Sequence, residues 1–86
     1  MPEISRFFGI VIRMYYNDHN PPHFHAKYGS HEAVIGIDPL SVIYGDLPAR
    51  ALALAMEWAA LHQDELIENW NRLRAAQQPA PVAPLE

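Results

Sequence analysis

The fold turns on the stretch His23-Phe24-His25-Ala26-Lys27-Tyr28-Gly29-Ser30-His31-Glu32-Ala33-Val34-Ile35-Gly36-Ile37-Asp38. Phe24, Ala26 and Tyr28 alternate with two histidines and a lysine, the period of a strand with one apolar and one polar face. Gly29-Ser30 suits a two-residue type II′ turn, because glycine tolerates the positive φ needed at the first central position. A strand from His31 to Asp38 then returns. Pairing Tyr28 with His31 puts Ala26 opposite Ala33, Phe24 opposite Ile35 and Lys27 opposite Glu32. The apolar residues thereby share one face, and opposite charges meet on the other.

Upstream, Asn17-Asp18-His19-Asn20-Pro21-Pro22 contains two prolines that fix φ and remove donors, so it reads as a loop. Before it, Ile4 to Tyr16 is rich in β-branched and aromatic residues and reads as one strand. Alternation assigns its even positions Phe8, Ile10, Ile12, Met14 and Tyr16 to the core, and leaves Arg13 and Tyr15 on the polar face. Downstream, Asp38-Pro39-Leu40-Ser41 suits a type I turn with proline second, followed by a short strand, Ser41 to Gly45, carrying Val42 and Tyr44 inward.

From Pro48 to about Ala76 the chain is made of good helix formers, with Asp46 and Pro48 as start signals and Arg72 and Arg74 near the C-terminal dipole. At 100° per residue Leu52, Ala55, Met56, Ala59, Leu66, Ile67, Trp70 and Leu73 form one stripe, and Leu54, Trp58 and Leu61 form another on the opposite side. One face cannot bury both. Either the helix breaks near His62-Gln63-Asp64, with Asp64 capping a second helix, or Leu54, Trp58 and Leu61 bind another chain, a second copy or a small partner. Residues 77–86 carry three prolines and little to bury, and read as a flexible tail. The expected architecture is a single α+β domain over residues 1–76. It comprises a small antiparallel sheet of three to four strands, then a long or broken C-terminal helix packed on one face.

At 86 residues the chain is too short for a large core, and without cysteine it has neither disulfides nor thiolate metal sites. Stability must come from packing or from a partner. No run approaches the roughly 20 apolar residues of a membrane span, and the N-terminus lacks a signal-peptide layout, so a cytoplasmic location is expected. Six Lys and Arg against ten Asp and Glu give a net charge of −4, which weakens non-specific binding to a phosphate backbone. There is no helix-turn-helix pattern, which counts against autonomous DNA binding; action on RNA stays open.

Chemistry, if present, falls between Asp18 and His25. His23 and His25, two apart on a strand, share a side of the sheet, and antiparallel pairing brings Arg13, Tyr15 and Lys27 to that same face. A histidine can move protons near neutral pH while Arg and Lys stabilise charge on phosphate, which makes His23, His25, Arg13, Tyr15 and Lys27 a candidate catalytic set. The same segment offers His19, His23, His25 and Asp18 as nitrogen and oxygen ligands for zinc or another transition metal. The plain alternative is a half-exposed sheet face with no chemistry. His31 and His62 read as structural, and Trp58 and Trp70 as core or interface anchors.

Ile4 to Ile10, Met14 to Ala26, Gly45 to Ala51 and Glu57 to Trp70 together resemble a bacterial family, domain of unknown function 4160, over about Pro2 to Arg74. The Asn-Asp-His-x-Pro-Pro-His-Phe-His segment is the most specific part. The resemblance implies a toxin-like, growth-inhibiting protein of a toxin–antitoxin module, neutralised by a small partner of the domain of unknown function 2442 type. It brings no catalytic residues with it. His19, Pro21, Pro22, His23 and His25 match the family signature and no more.

Overall fold

The computed structural model describes residues 3–86. Five strands, β1 (Glu3–Phe7), β2 (Ile10–Arg13), β3 (His23–Tyr28), β4 (His31–Ile37) and β5 (Leu40–Gly45), precede two helices, α1 (Ala49–Leu61) and α2 (Gln63–Arg74). The strands form one antiparallel meander in the order β1-β2-β3-β4-β5. One core, drawn from one face of the sheet and from both helices, runs through the domain. No helix among the described residues is long and apolar enough to cross a membrane.

The β3–β4 hairpin has the expected register, with Tyr28 opposite His31, Lys27 opposite Glu32, Ala26 opposite Ala33 and Phe24 opposite Ile35. Of the two turn residues only Gly29 has positive φ, at 59°, as the type II′ reading requires.

The single strand expected over Ile4 to Tyr16 is instead two strands and a hairpin. Phe8 and Gly9 both adopt positive φ, 49° and 81°, between the paired residues Phe7 and Ile10. Two positive φ values at the centre of a two-residue loop are the mark of a type I′ turn, in which Asn-Gly is the usual sequence. Phenylalanine in the first position disguises the turn. Ile10, Ile12 and Met14 are buried as expected, but Phe8 projects from the turn, 58% exposed, and Tyr16 lies on the loop, half exposed. β1 contributes Ile4 and Phe7 to the core instead.

At the other margin, Ile37 pairs with Leu40 around Asp38-Pro39, so proline is third in the turn rather than second, and the Asp38–Pro39 peptide is cis. Neither Val42 nor Tyr44 is buried: Val42 lies on the core side at the sheet edge but stays 40% exposed. Val34 pairs with Tyr44 and Ile35 with Val42, which leaves Ile43 as the extra residue of a bulge. The bulge reverses the facing of the strand beyond it. Tyr44 is therefore 77% exposed, and Ile43 sits across the outer face against Gly36, where an added Cβ would stand 3.2 Å from its Cδ1.

The helix breaks at His62, with φ −121° and ψ 26°. The buried face of α1, formed by Ala51, Ala55, Trp58 and Ala59, runs between the two apolar stripes, and α2 buries Leu66, Asn69, Trp70 and Leu73. Trp58, expected as a partner-binding residue with Leu54 and Leu61, is instead completely buried between Phe7 and Phe24, with ring centroids 5.3 and 5.8 Å away. Leu54 is partly buried, and only Leu61 stays exposed. Asp64 is not the cap of α2. It lies in the first turn beside Glu65, where a carboxylate complements the helix N-terminus.

The proline-rich segment has more to bury than its composition suggests. It leaves α2 through a Schellman motif, with Gln77 N–H donating to Arg72 O, Ala76 N–H to Leu73 O, and Ala76 at φ 59° in the place usually held by glycine. It then runs along the fold. The Asn69 amide donates to Ala80 O and accepts from Ala80 N–H, both at 2.8 Å. Val82 N–H reaches Ile4 O on β1, the Trp58 indole N–H donates to Ala83 O, and the Val82 side chain is buried.

Candidate metal centre

Strand β3 places His23 and His25 on the side of the sheet opposite Phe24 and Ala26. The loop from Met14 to Pro22 then carries Asp18 to them. Its Oδ2 lies 3.1 Å from His23 Nε2 and 3.1 Å from His25 Nε2. Among the described residues, Asp18, His23 and His25 are the one group whose donor atoms lie close enough to share an ion, all within 4.8 Å of one another.

The far side of each imidazole is also engaged. His23 Nδ1 donates to Pro21 O at 2.8 Å, and His25 Nδ1 lies 3.1 Å from Glu32 Oε2. A neutral imidazole has one N–H, so donation from Nδ1 leaves a lone pair on Nε2. For His23 that lone pair points at Asp18 Oδ2, and His25 stands between two carboxylates, Asp18 and Glu32. A lone pair facing a carboxylate is repulsive, and a metal cation held among these donors would relieve that repulsion.

Aromatic neighbours fix both rings. Tyr15 stands edge-on to His25 at 4.7 Å between centroids, and Trp70 of α2 packs against His23 at 5.2 Å. Arg13 is the direct neighbour of His25 across β2 and β3, with its Nε buried and without a hydrogen-bond partner. On the same face Arg6 and Glu3 form an exposed bidentate pair, which holds the Glu3 carboxyl below the usual carboxylate range and raises Arg6.

The expected site residues are therefore sorted by the fold. Asp18, His23 and His25 converge, with Tyr15 and Arg13 beside them. Lys27 lies one register step away, exposed, opposite Val11 and Glu32. His19 turns outward into an open cleft of about 480 Å³ that it lines with Tyr16, Asn17, Asp18 and Arg74. Two participants were missed from sequence. Glu32 was foreseeable, since it lies diagonal to His25 in the hairpin register, within reach of a long side chain. Arg74, whose Nη1 donates to Asp18 O at 2.9 Å, had no local signal.

The family model described as Domain of unknown function (DUF4160) matches residues 9–71, which include Asp18, His23, His25 and Trp70. The chain belongs to that family. No curated protein and no solved structure matches it. The match ends before Arg74 and begins after β1, so the converging site lies inside the span of the family while the arginine beside the cleft lies outside it.

Proposed function

We propose that this domain binds a divalent transition metal through Asp18, His23 and His25 and leaves part of its coordination sphere open to an outside ligand. One observation carries the reading. Both histidines turn Nε2 toward the same carboxylate and Nδ1 toward an acceptor behind them, Pro21 O for one and Glu32 for the other. That outer pairing is the common support of metal-bound histidine, because it fixes the tautomer and orients the ring. Small rotations would bring the three donors to the roughly 2.0–2.2 Å of zinc–nitrogen and zinc–oxygen bonds. Three protein ligands rather than four are the pattern of sites that keep a position for water or substrate.

The same hydrogen bonds weigh against metal-free acid–base catalysis by His23 and His25. Nε2 of each ring faces Asp18, so neither histidine presents that nitrogen to a substrate. Protein purified without a histidine tag and loaded with zinc or cobalt should hold one ion per chain. His25→Ala and Asp18→Ala should lose it, and His31→Ala should keep it. Zinc at 100 times its dissociation constant should add about 2.7 kcal/mol to folding stability. A tag-free wild type that takes up no ion and gains no thermal stability from either metal sinks the proposal.

A second reading, that the domain is the growth-inhibiting member of a pair and is neutralised by a small partner, is supported by the open margin of the sheet. Strand β5 exposes Val42, Ile43 and Tyr44, and has no neighbouring strand on its outer side. Such an edge is a template for strand addition by another chain. Induction of the protein without its neighbouring gene should slow growth. Normal growth with abundant folded protein would remove this reading and leave the metal site untouched.

A further inference from the structure

Beside the metal-binding triad lies the cleft lined by Tyr16, Asn17, Asp18, His19 and Arg74. Its walls are uneven in charge. Asp18 is its one carboxylate, and Oδ2 of that group faces the two histidines. The other titratable groups on its walls are the His19 imidazole, the Tyr16 phenol and the Arg74 guanidinium. Arg74 differs from its neighbour on α2. Arg72 donates to Glu68 one turn earlier, at 2.8 Å, and is largely spent on that pair. Arg74 has no carboxylate partner among the described residues. Its guanidinium lies 5.5 Å from the centre of the Trp70 ring and gives one N–H to the Asp18 carbonyl. An arginine has five N–H donors, so four remain.

These contacts tie the arginine to the metal-binding loop. The backbone of Asp18 holds Arg74, and its carboxylate meets His23 and His25, so one residue separates the guanidinium from the ion. The carbonyls ending α2, which would repel an anion here, already accept the N–H groups of Ala75, Ala76 and Gln77. A fixed guanidinium with free donors beside an open metal position is complementary to a tetrahedral oxyanion, which can place one oxygen on the metal and two on the arginine.

We propose that the cleft takes a phosphate group, free or within a phosphoester, with one oxygen on the metal held by Asp18, His23 and His25 and others on Arg74. This inference rests on the metal-binding reading. His19, on the cleft wall rather than among the ligands, then faces the bound phosphate.

Cobalt-loaded protein, titrated with inorganic phosphate and followed by its visible absorption and by calorimetry, tests it. Phosphate should shift the cobalt spectrum, and Arg74→Gln should bind phosphate roughly tenfold more weakly with cobalt stoichiometry and melting temperature unchanged. Arg72→Gln should bind as wild type does. Adenosine monophosphate and a diester-linked dinucleotide form two further arms: preference for either identifies the natural source, and each is an oxyanion the site accommodates. A protein that holds cobalt but shows no spectral response to phosphate, or an Arg74→Gln variant that binds as tightly as wild type, overturns the inference alone. Absence of cobalt from the wild type overturns the metal site as well, and the two failures are told apart by the metal measured before phosphate is added.

Discussion

The two margins of the sheet are finished in opposite ways. At β1 the C-terminal segment runs alongside the strand, with Val82 N–H on Ile4 O, its side chain buried, and Ala80 and Ala83 bonded to Asn69 and Trp58. At β5 no further strand of the described residues pairs with the outer edge, and Val42, Ile43 and Tyr44 are exposed. An unpaired edge invites association, and proteins cover or disrupt edges that have no use. Residues 80–83 tie β1 and both helices together, whereas the β5 edge keeps aromatic and branched side chains exposed. The closed margin is packed and the open one is exposed.

The largest effect should come from the residue where the closed margin meets the core. Trp58→Ala removes an indole packed between Phe7 and Phe24 and leaves Ala83 O without its donor. Chemical denaturation should show a loss of about 3–5 kcal/mol. That is a large share of the roughly 5–15 kcal/mol of a whole domain. A variant that keeps its stability and loses only association would return Trp58 to the partner-binding role read from its helical spacing. Next comes the strap itself. Asn69→Ala strands both polar groups of Ala80, and the denaturation midpoint should reveal a cost of about 2 kcal/mol. An unchanged midpoint would mean that the segment contributes nothing, and the contrast between margins would fall.

How far this was legible follows from the range of the interactions. The β3–β4 hairpin could be read to the residue, because its alternation, its turn glycine and its Lys27–Glu32 pairing all specify one register. The convergence of His23 and His25 on Asp18 was legible for the same reason: the two histidines share a parity, and Asp18 stands in the short loop before them. The Phe8-Gly9 turn was hidden by a residue that prefers another conformation. The strap was hidden because its partners, Ile4, Trp58 and Asn69, are distant in sequence, so the prolines signalled only that it would not be helix or strand interior. Arg74 escaped for that reason too, its hydrogen bond to Asp18 crossing from the end of α2 to the loop before β3.

Phe8 offers a smaller test on the closed side. Its φ of 49° is a left-handed conformation that costs a residue with a Cβ roughly 1–2 kcal/mol, and asparagine tolerates it better. Phe8→Asn should therefore stabilise the domain by about 0.5–1 kcal/mol, since the ring is more than half exposed and little packing is lost. A destabilised variant would show that the Phe8 ring, beside Tyr28, Pro48 and Leu54 in a shallow cleft, contributes more than its backbone costs.

The smallest stability effect belongs to the open margin, and it separates the two margins most directly. Tyr44 is the most exposed of the large apolar residues on β5 and pairs across the strands with Val34. Replacing it with lysine removes an exposed ring and leaves the backbone ladder intact, so the denaturation midpoint should move by less than about 0.5 kcal/mol. A charged lysine on an edge strand is, however, the usual natural device against strand addition, because docking a neighbour would strip water from it. Tyr44→Lys should thus leave folding alone and weaken association with a protein that adds a strand at β5. Size-exclusion chromatography with the neighbouring gene product reads the second quantity, and denaturation the first. A midpoint loss as large as that of Asn69→Ala would mean that β5 is packed in solution as firmly as β1, and unchanged complex formation would move the partner to another face. With both quantities as expected, the edge is a surface kept free for contact at little cost to the fold that holds Asp18, His23 and His25 together.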